Sequence, residues 1–331
     1  MNICVLMRTF WSRASLAGAI ACLLIAFATG QIQAEERAAP TQNGSDVMVI
    51  DLWPQSPPAW TQPSGEERDT SGADGRNVAG RSVIRLGNVS KPQLHVYPAA
   101  ADAEHATTMI VICPGGGYSI LAWDLEGTEI AEQFNALGFS AAVLKYRVPT
   151  RSMDQPWMPP VQDVQRALSL IRSGNIKGVK DLDRVGLVGF SAGGNAAARA
   201  ATTGGRRFYE RVDEADEASC EPDFVGLIYP WLMVPAKDDK KATQNELGIL
   251  PELEISASTA PMFLAHANDD PISCRNSLEM FASLQDRGVL AELHIYTGGG
   301  HGFGARDKTV AAANWPAQMA KWLTTIRSSA N

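Results

Sequence analysis

The sequence contains few of the residues that bind metals or build disulfide frameworks. Its 331 residues include only five cysteines and five histidines. Beyond residue 34 the cysteines are Cys113, Cys220 and Cys274, an odd number at wide spacing, which excludes a disulfide framework. Cys113 lies in an apolar run and is expected to be a buried thiol, whereas pairing of Cys220 with Cys274 stays open. The sequence has no H-E-x-x-H segment and no cluster of histidines with carboxylates, so we expect neither a metal nor a cofactor.

Positive charge is also scarce. The chain has 29 lysines and arginines against 36 aspartates and glutamates, and its formal net charge is −7. It has no basic run with interleaved aromatic residues, which argues against nucleic acid as a partner. The G-x-G-x-x-G spacing of dinucleotide-binding turns is absent too. Such an acidic chain is expected to act on neutral substrates rather than on polyanions.

A long apolar run occurs only near the N-terminus, from about Ala14 to Ala28. It follows a basic head without acids and ends a few residues before Ala34, which is the pattern of a secretory signal peptide. The run is shorter than a membrane-spanning helix usually needs. We therefore expect residues 1–34 to be a cleaved signal peptide, and the mature protein to be secreted or periplasmic without a stable membrane anchor.

The rest of the chain divides near residue 80. Residues 35–80 are rich in Pro, Gly, Ser and charge, with Trp53 and Trp60 as large apolar anchors, so they are interpreted as an N-terminal arm draped over the main domain. Residues 81–331 are long enough for one large domain with an ample core.

In that domain short apolar runs alternate with amphipathic segments. Strands are predicted over residues 81–86, 93–97, 108–113, 140–146, 184–188, 223–229, 261–266 and 291–296. Helices are predicted over residues 126–137, 161–172, 192–201, 274–287 and 308–326. The alternation predicts an α/β fold, with a mostly parallel central sheet and helices on both faces. Two long loops, 149–160 and 230–260, follow strand ends, where open α/β sheets bind ligands, so they are candidates to wall a site.

The segment Gly189 to Gly193 has the sequence Gly-Phe-Ser-Ala-Gly and lies between a predicted strand and a predicted helix. This is the pattern of the nucleophile elbow of serine hydrolases, in which glycines relieve crowding around a strained serine. Ser191 is therefore the predicted nucleophile.

A base and an acid follow in the order that this elbow requires. His301 lies among glycines after the last predicted strand, in a loop from which an imidazole can project, and it is the predicted base. The acid is expected after a late strand, which indicates Asp269 or Asp270; we favour Asp270, because Asp269 is better placed to hold the turn. His266 ends the same strand and is a candidate either to support the acid or simply to pack in the core.

The segment Pro-Gly-Gly-Gly-Tyr at 114–118 directly follows a predicted strand, where an oxyanion loop is expected. Glycine lets backbone amides approach a substrate oxygen without a side chain in the way. The amides of Gly116 and Gly117, together with that of Ala192, are therefore predicted to stabilise an oxyanion.

Aromatic residues near the predicted crevice are candidates for substrate binding. Tyr118, which ends the glycine loop, and Trp231, which begins a long loop, are predicted to contact the substrate. Trp123, Trp157 and Trp231 all lie in loops and could stack on sugar rings or anchor their loops.

The segments that carry a family resemblance are PGGGY at 114–118, LKYR at 144–147, DVQRAL at 163–168, GFSAGG at 189–194, DDP at 269–271 and ELHIYTGGGHGFG at 292–304. Over about residues 83–323 the chain resembles the secreted α/β-hydrolases related to acetylxylan esterases, often labelled xylanase-like esterases. The resemblance implies an α/β-hydrolase fold and a serine esterase that deacetylates small esters or polysaccharide such as xylan. It also implies that Ser191, Asp270 and His301 are the catalytic residues. Asn195 departs from the pattern, since relatives often carry histidine there.

Three other functions stay open. A xylanase would usually need two facing carboxylates, and no such pair is identifiable among the motifs. A peptidase of the same fold would act on short peptides. A non-catalytic carbohydrate-binding protein would retain the fold without needing the serine, the histidine and the acid together. The natural acyl group and the oligomeric state do not follow from the sequence.

Overall fold

The fold is organised around one sheet of eight strands. The computed structural model describes residues 47–58, 62–72, 75–174, 176, 179, 182–235 and 248–328. The strands are β1 (Met48–Asp51), β2 (Gln93–Tyr97), β3 (His105–Cys113), β4 (Phe139–Lys145), β5 (Arg184–Phe190), β6 (Val225–Ile228), β7 (Met262–Ala267) and β8 (Ala291–Tyr296). Their order across the sheet is β1-β2-β4-β3-β5-β6-β7-β8. The pairs β1–β2 and β2–β4 are antiparallel, and the other five pairs are parallel.

Five α-helices cover this sheet. They are α1 (Glu129–Ala136), α2 (Met158–Arg172), α3 (Ser191–Ala201), α4 (Arg275–Asp286) and α5 (Trp315–Ser328). Two hydrophobic clusters separate the layers: one joins the strands to α2, α3 and α4, and the other joins them to α1 and α5. The prediction of a mostly parallel sheet with helices on both faces is confirmed. Because β3, β5, β6, β7 and β8 run parallel, the loops that follow them meet at one edge of the sheet.

Most predicted elements of the main domain are confirmed, with bounds shifted by a few residues, and the strand Ala291–Tyr296 has the predicted bounds. The structure corrects three other predicted elements. The strand predicted over residues 81–86 is broken, because the Ile84 amide donates to Asp124 Oδ1 at 2.8 Å instead of extending a ladder. The helix predicted from residue 126 is preceded by a π-helical turn, Asp124–Thr128. The last helix begins at Trp315 rather than 308, since Pro316 in its first turn favours a helix start.

The N-terminal arm contributes a strand that the sequence analysis did not predict. β1 lies at the edge of the central sheet and pairs only with β2. Further along, Arg68–Asp69 pairs with Arg85–Gly87, which in turn pairs with Leu121–Ala122 just after the glycine loop. The arm is thus tied to the segment that follows the predicted oxyanion loop. The predicted signal peptide and Trp60 lie outside the described residues.

No helix of the described ranges combines the length and apolarity that crossing a bilayer requires.

A buried ion pair fixes the chain that leaves β4. Arg147 and Asp163 are both completely buried, and the guanidinium Nε lies 3.0 Å from Asp163 Oδ2. The other carboxylate oxygen accepts the indole N–H of Trp53 at 2.8 Å, and the Arg147 amide donates to Oδ2 at 2.9 Å. The pair therefore links the end of β4, helix α2 and the N-terminal arm. Arg147 belongs to the LKYR segment and Asp163 to the DVQRAL segment, so the ion pair explains what these two segments do in the fold.

Removing one partner of this pair should destabilise the fold strongly. In Arg147→Met the carboxylate of Asp163 stays buried without its counter-charge, and we expect the free energy of unfolding to fall by about 3–5 kcal/mol. The matched control is Lys91→Met, which removes an exposed pair with Asp51 and should cost less than about 1 kcal/mol. Urea denaturation measures both variants. A loss in Arg147→Met no larger than that of the control would contradict this assignment.

Candidate active site

Ser191 lies at a sharp turn between β5 and α3. Its backbone is left-handed, with φ of 49°, a conformation that a non-glycine residue adopts only where the surroundings enforce it. A Cβ at Gly193 would lie 2.2 Å from the carbonyl oxygen of Cys113, and a Cβ at Gly189 would lie 2.5 Å from the carbonyl oxygen of Gly193. Both glycines of the motif are thus required by the close packing of strand and helix. The turn holds the serine at the carboxyl end of the sheet.

The structure brings Ser191, His301 and Asp270 together as the sequence analysis expected. His301 Nε2 lies 2.9 Å from Ser191 Oγ, and His301 Nδ1 lies 2.8 Å from Asp270 Oδ2. The serine and the aspartate are buried and the histidine is partly exposed. In this arrangement the imidazole can take the hydroxyl proton while the carboxylate orients the ring.

The two neighbouring aspartates have different partners. Asp269 accepts the backbone amide of Gly300 at 2.8 Å and that of Gly299 at 3.4 Å, so it ties down the loop that carries His301. Asp270 contacts the imidazole itself. The choice of Asp270 as the partner of the histidine agrees with this placement.

His266 contacts the predicted acid, which agrees with the first of the two alternatives that the sequence left open. It is completely buried, with Nδ1 2.9 Å from Ser277 Oγ and Nε2 3.3 Å from Asp270 Oδ2. Burial raises the pKa of the Asp270 carboxyl, but hydrogen bonds from His266 and His301 outweigh it, so the pKa lies below its usual 3.8. The aspartate is therefore ionised at neutral pH.

Two amides of the glycine loop, those of Gly116 and Gly117, have no backbone acceptor among the described residues. Gly116 has φ of 135°, and a Cβ there would lie 2.0 Å from the carbonyl oxygen of Ile120. Gly116 and Gly117 line the cavity with Ser191. Ala192 is the second residue of α3, where amides have no intrahelical acceptor. The three predicted oxyanion donors are thus available beside the serine.

Glu126 is a site residue that sequence reasoning missed. It is buried, and its carboxylate accepts the Gly115 amide at 2.7 Å and the Tyr229 hydroxyl at 2.9 Å. That hydroxyl in turn accepts the amide of Gly304, in the loop of His301, at 3.1 Å. Burial raises the pKa of Glu126, while the charge of His301 and these two hydrogen bonds oppose the rise. Glu126 therefore joins the glycine loop to the histidine loop.

A cleft of about 320 Å³ opens above Ser191 and His301. Trp231 lines it, as predicted, and the Arg151 guanidinium lies 4.7 Å from the centre of its indole ring. These residues come from the two long loops that were expected to wall the site. Trp123 and Trp157 do not line this cleft; they pack against His95 and Phe208 instead.

The prediction for Tyr118 needs correction. Its side chain is 1% exposed and does not line the cleft. The hydroxyl donates to Asn195 Oδ1 at 2.8 Å, and the Asn195 amide donates to the carbonyl oxygen of Leu232 at 2.8 Å. Tyr118 packs beneath the loop because its left-handed backbone, with φ of 58°, turns the ring into the core. Its role is to support the loop, and Asn195, the departure from the family pattern, connects it to the Trp231 loop.

The three cysteines of the described residues do not line the cleft. Cys113 is buried, and burial raises the pKa of its thiol, as expected for a core cysteine. Cys220 and Cys274 are both free, so the disulfide left open by the sequence is not formed. Within the described ranges no group of three His, Cys, Asp or Glu side chains could hold a metal ion.

The strand order, the elbow and the order of serine, acid and histidine along the chain define an α/β-hydrolase. A family model described as the prolyl oligopeptidase family matches residues 160–328, half of the chain. The chain therefore belongs to the prolyl oligopeptidase family.

Three similar proteins have related names. An acetylxylan esterase of Xylanibacter ruminicola is 28% identical over 219 residues, 59% of this chain and 41% of the relative. Endo-1,4-beta-xylanase B of Butyrivibrio fibrisolvens is 25% identical over 225 residues, 64% of this chain and 34% of the relative. The chain thus spans well under half the length of these curated relatives. The crystal structure of an acetyl ester-xyloside bifunctional hydrolase from Caldicellulosiruptor lactoaceticus aligns with a TM-score of 0.62 and 28% identity, over 85% of this chain and 96% of that one. These similarities confirm that the motifs are those of the α/β-hydrolase esterases.

Asp270 and Asp269 provide a matched pair to test the site. Asp270→Asn should slow labelling of Ser191 by a fluorophosphonate probe by about 10³–10⁴-fold, because the amide favours the wrong tautomer of His301. Asp269→Asn keeps an oxygen that can accept the loop amides and should slow labelling less than about tenfold. Labelling rates followed by intact-protein mass measure both. Equal losses in the two variants, or a larger loss in Asp269→Asn, would contradict the assignment.

Proposed function

We propose that this protein is a serine carboxylic-ester hydrolase that removes acetyl groups from acetylated carbohydrate such as xylan. The observation that carries the proposal is the chain of contacts from Asp270 through His301 to Ser191, beneath a glycine loop with free amides. The names of the similar proteins support the choice of acetyl esters and of xylan, and the site itself supports acyl transfer.

The geometry indicates how each residue would act. Ser191 Oγ attacks the ester carbonyl while His301 Nε2 takes its proton, and the developing oxyanion lies against the amides of Gly116, Gly117 and Ala192. When the tetrahedral intermediate collapses, His301 returns the proton to the leaving sugar hydroxyl, and the acetyl group stays on the serine. Water then attacks the acetyl carbonyl while His301 takes its proton, and His301 returns that proton to Ser191 Oγ as acetate leaves. Each oxyanion donor contributes about 2.7–4 kcal/mol to the transition state in comparable sites.

Hydrolysis of a glycosidic bond is less well supported by the cleft. The reaction normally needs two carboxyl groups that face the sugar from opposite sides. Among the described residues that line the cleft, Glu126 is the only acid. Both of its oxygens already accept hydrogen bonds, from Gly115 and Tyr229. The arrangement therefore favours ester cleavage.

Peptide cleavage is a second candidate because the matching family is named for an oligopeptidase. It would use the same serine, histidine and aspartate. What separates the two candidates is the leaving group, an alcohol in an ester and an amine in a peptide. A direct comparison of substrates decides between them.

Acetate release tests the proposal. The purified protein should release acetate from acetylated xylan and 4-nitrophenolate from 4-nitrophenyl acetate, and Ser191→Ala should lose both activities by at least about 10³-fold. A proline-containing peptide amide serves as the competing substrate and should be cleaved far more slowly. Activity on the small ester alone would mean that the natural substrate is an ester other than acetylated xylan. Preferential cleavage of the peptide would reverse the proposal. Full activity in Ser191→Ala would contradict the mechanism.

A further inference from the structure

Three arginines line the cleft above the serine, although the protein as a whole is acidic. Arg76 and Arg85 come from the N-terminal segment that pairs with Leu121–Ala122, and Arg151 comes from the loop after β4. Two separate parts of the sequence thus contribute positive charge to the cleft that Ser191 also lines. The chain carries a net charge of −7, so this local sign is opposite to that of the whole molecule.

None of these three guanidinium groups forms an ion pair with a carboxylate of the described residues. Arg76 donates to the backbone carbonyl oxygens of His301 and Gly302. Arg151 donates to the carbonyl oxygen of Gly117 at 3.1 Å and lies over the ring of Trp231. Most of their donor capacity is therefore available to a ligand, since a guanidinium carries five N–H donors.

Arg85 is exposed, as are Arg76 and Arg151. The nearby carboxylate of Asp69 accepts the backbone amides of Ser71 at 2.9 Å and of Arg85 at 3.0 Å. The Arg85 charge helps to lower the pKa of Asp69, after the larger contributions of hydrogen bonds from Ser71. No contact of Asp69 reaches the guanidinium within ion-pair distance. The head of Arg85 is thus left to face the cleft.

Several arginines elsewhere in the protein are paired with carboxylates. Arg81, Arg147, Arg166 and Arg306 each form an ion pair with an aspartate or a glutamate. Among the described residues that line the cleft, by contrast, the sole acid is Glu126. Three arginines against one glutamate leave the described lining of the cleft with an excess of positive charge.

We propose that this cleft binds an ester that also carries a carboxylate on its alcohol part. An example is an acetylated oligosaccharide with a uronic acid unit. Arg85 and Arg151 bind that carboxylate, because a guanidinium fork matches carboxylate geometry and stacking on Trp231 holds one fork in place. Arg76 adds charge while it holds the loop of His301. The inference rests on the proposed esterase function and adds the charge of the substrate. It replaces the expectation of a neutral substrate that the overall charge suggested.

A matched pair of small esters tests this inference. 4-Acetoxybenzoate carries a carboxylate, whereas 4-acetoxybenzamide has nearly the same shape without the charge and a phenol leaving group of similar acidity. The protein should hydrolyse the benzoate with a kcat/KM about tenfold higher than that of the benzamide. The Arg85→Gln and Arg151→Gln variants should each reduce this ratio several-fold, and the double variant should bring it to about one. Using the ratio cancels effects on the chemistry that the two esters share.

Arg68→Gln is the control variant. Arg68 lies in the same N-terminal segment and is exposed, but it does not line the cleft. It should leave the ratio unchanged. A ratio of one or less in the unmodified protein would overturn the inference while the esterase function stands. An equal reduction in Arg68→Gln would also overturn it, because general attraction rather than binding in the cleft would then explain the preference.

A binding measurement separates this inference from the proposed function. Calorimetry with Ser191→Ala compares a xylo-oligosaccharide that carries a uronic acid branch with the unbranched oligosaccharide. Tighter binding of the acidic sugar, lost when Arg85→Gln and Arg151→Gln are added, supports the inference even if neither ester is hydrolysed. Equal binding of the two sugars would overturn it.

Discussion

The site depends on the close approach of two backbones, the end of β3 and the start of α3. A Cβ at Gly193 would lie 2.2 Å from the carbonyl oxygen of Cys113, and a Cβ at Gly115 would lie 2.9 Å from the carbonyl oxygen of Phe190. Only glycine allows both contacts. This packing holds Ser191 in a left-handed backbone and brings the amides of the glycine loop beside its hydroxyl. Without it the nucleophile and the oxyanion donors would lie too far apart to act on one carbonyl group.

Buried polar contacts hold the other loops of the site in place around this turn. Glu126 connects the glycine loop to Tyr229, and the Tyr229 hydroxyl connects both to the histidine loop. Asp269 accepts a backbone amide of the same histidine loop. His266 fixes the carboxylate of Asp270 from beneath. Because such groups are costly to bury without partners, each contact favours a single arrangement of the loops. The geometry of the site is thus held by contacts within the protein itself.

The sequence predicted those parts of the site whose chemistry is local. Ser191 and His301 stand in glycine-rich segments whose pattern requires a turn, and Asp270 follows a strand in a short acidic pair, so all three could be placed from their neighbours along the chain. Glu126 could not, since an acid before a helix normally faces solvent, and only distant partners show that it is buried. The orientation of Tyr118 depends on a left-handed backbone that no neighbouring residue predicts. β1 was missed for a related reason, as a four-residue edge strand depends on its partner rather than on its own pattern.

The proposed mechanism requires Ser191 to carry the acyl group during turnover. The most direct measurement is mass spectrometry of the protein quenched in acid within milliseconds of mixing with 4-nitrophenyl acetate, followed by digestion and mapping of the adduct. We expect one acetyl group on the peptide that contains Ser191, which accumulates where water attack on the acyl-enzyme is slow. An acetyl group on another side chain, or product release with no adduct at Ser191 at any time, would show that Ser191 is not the nucleophile.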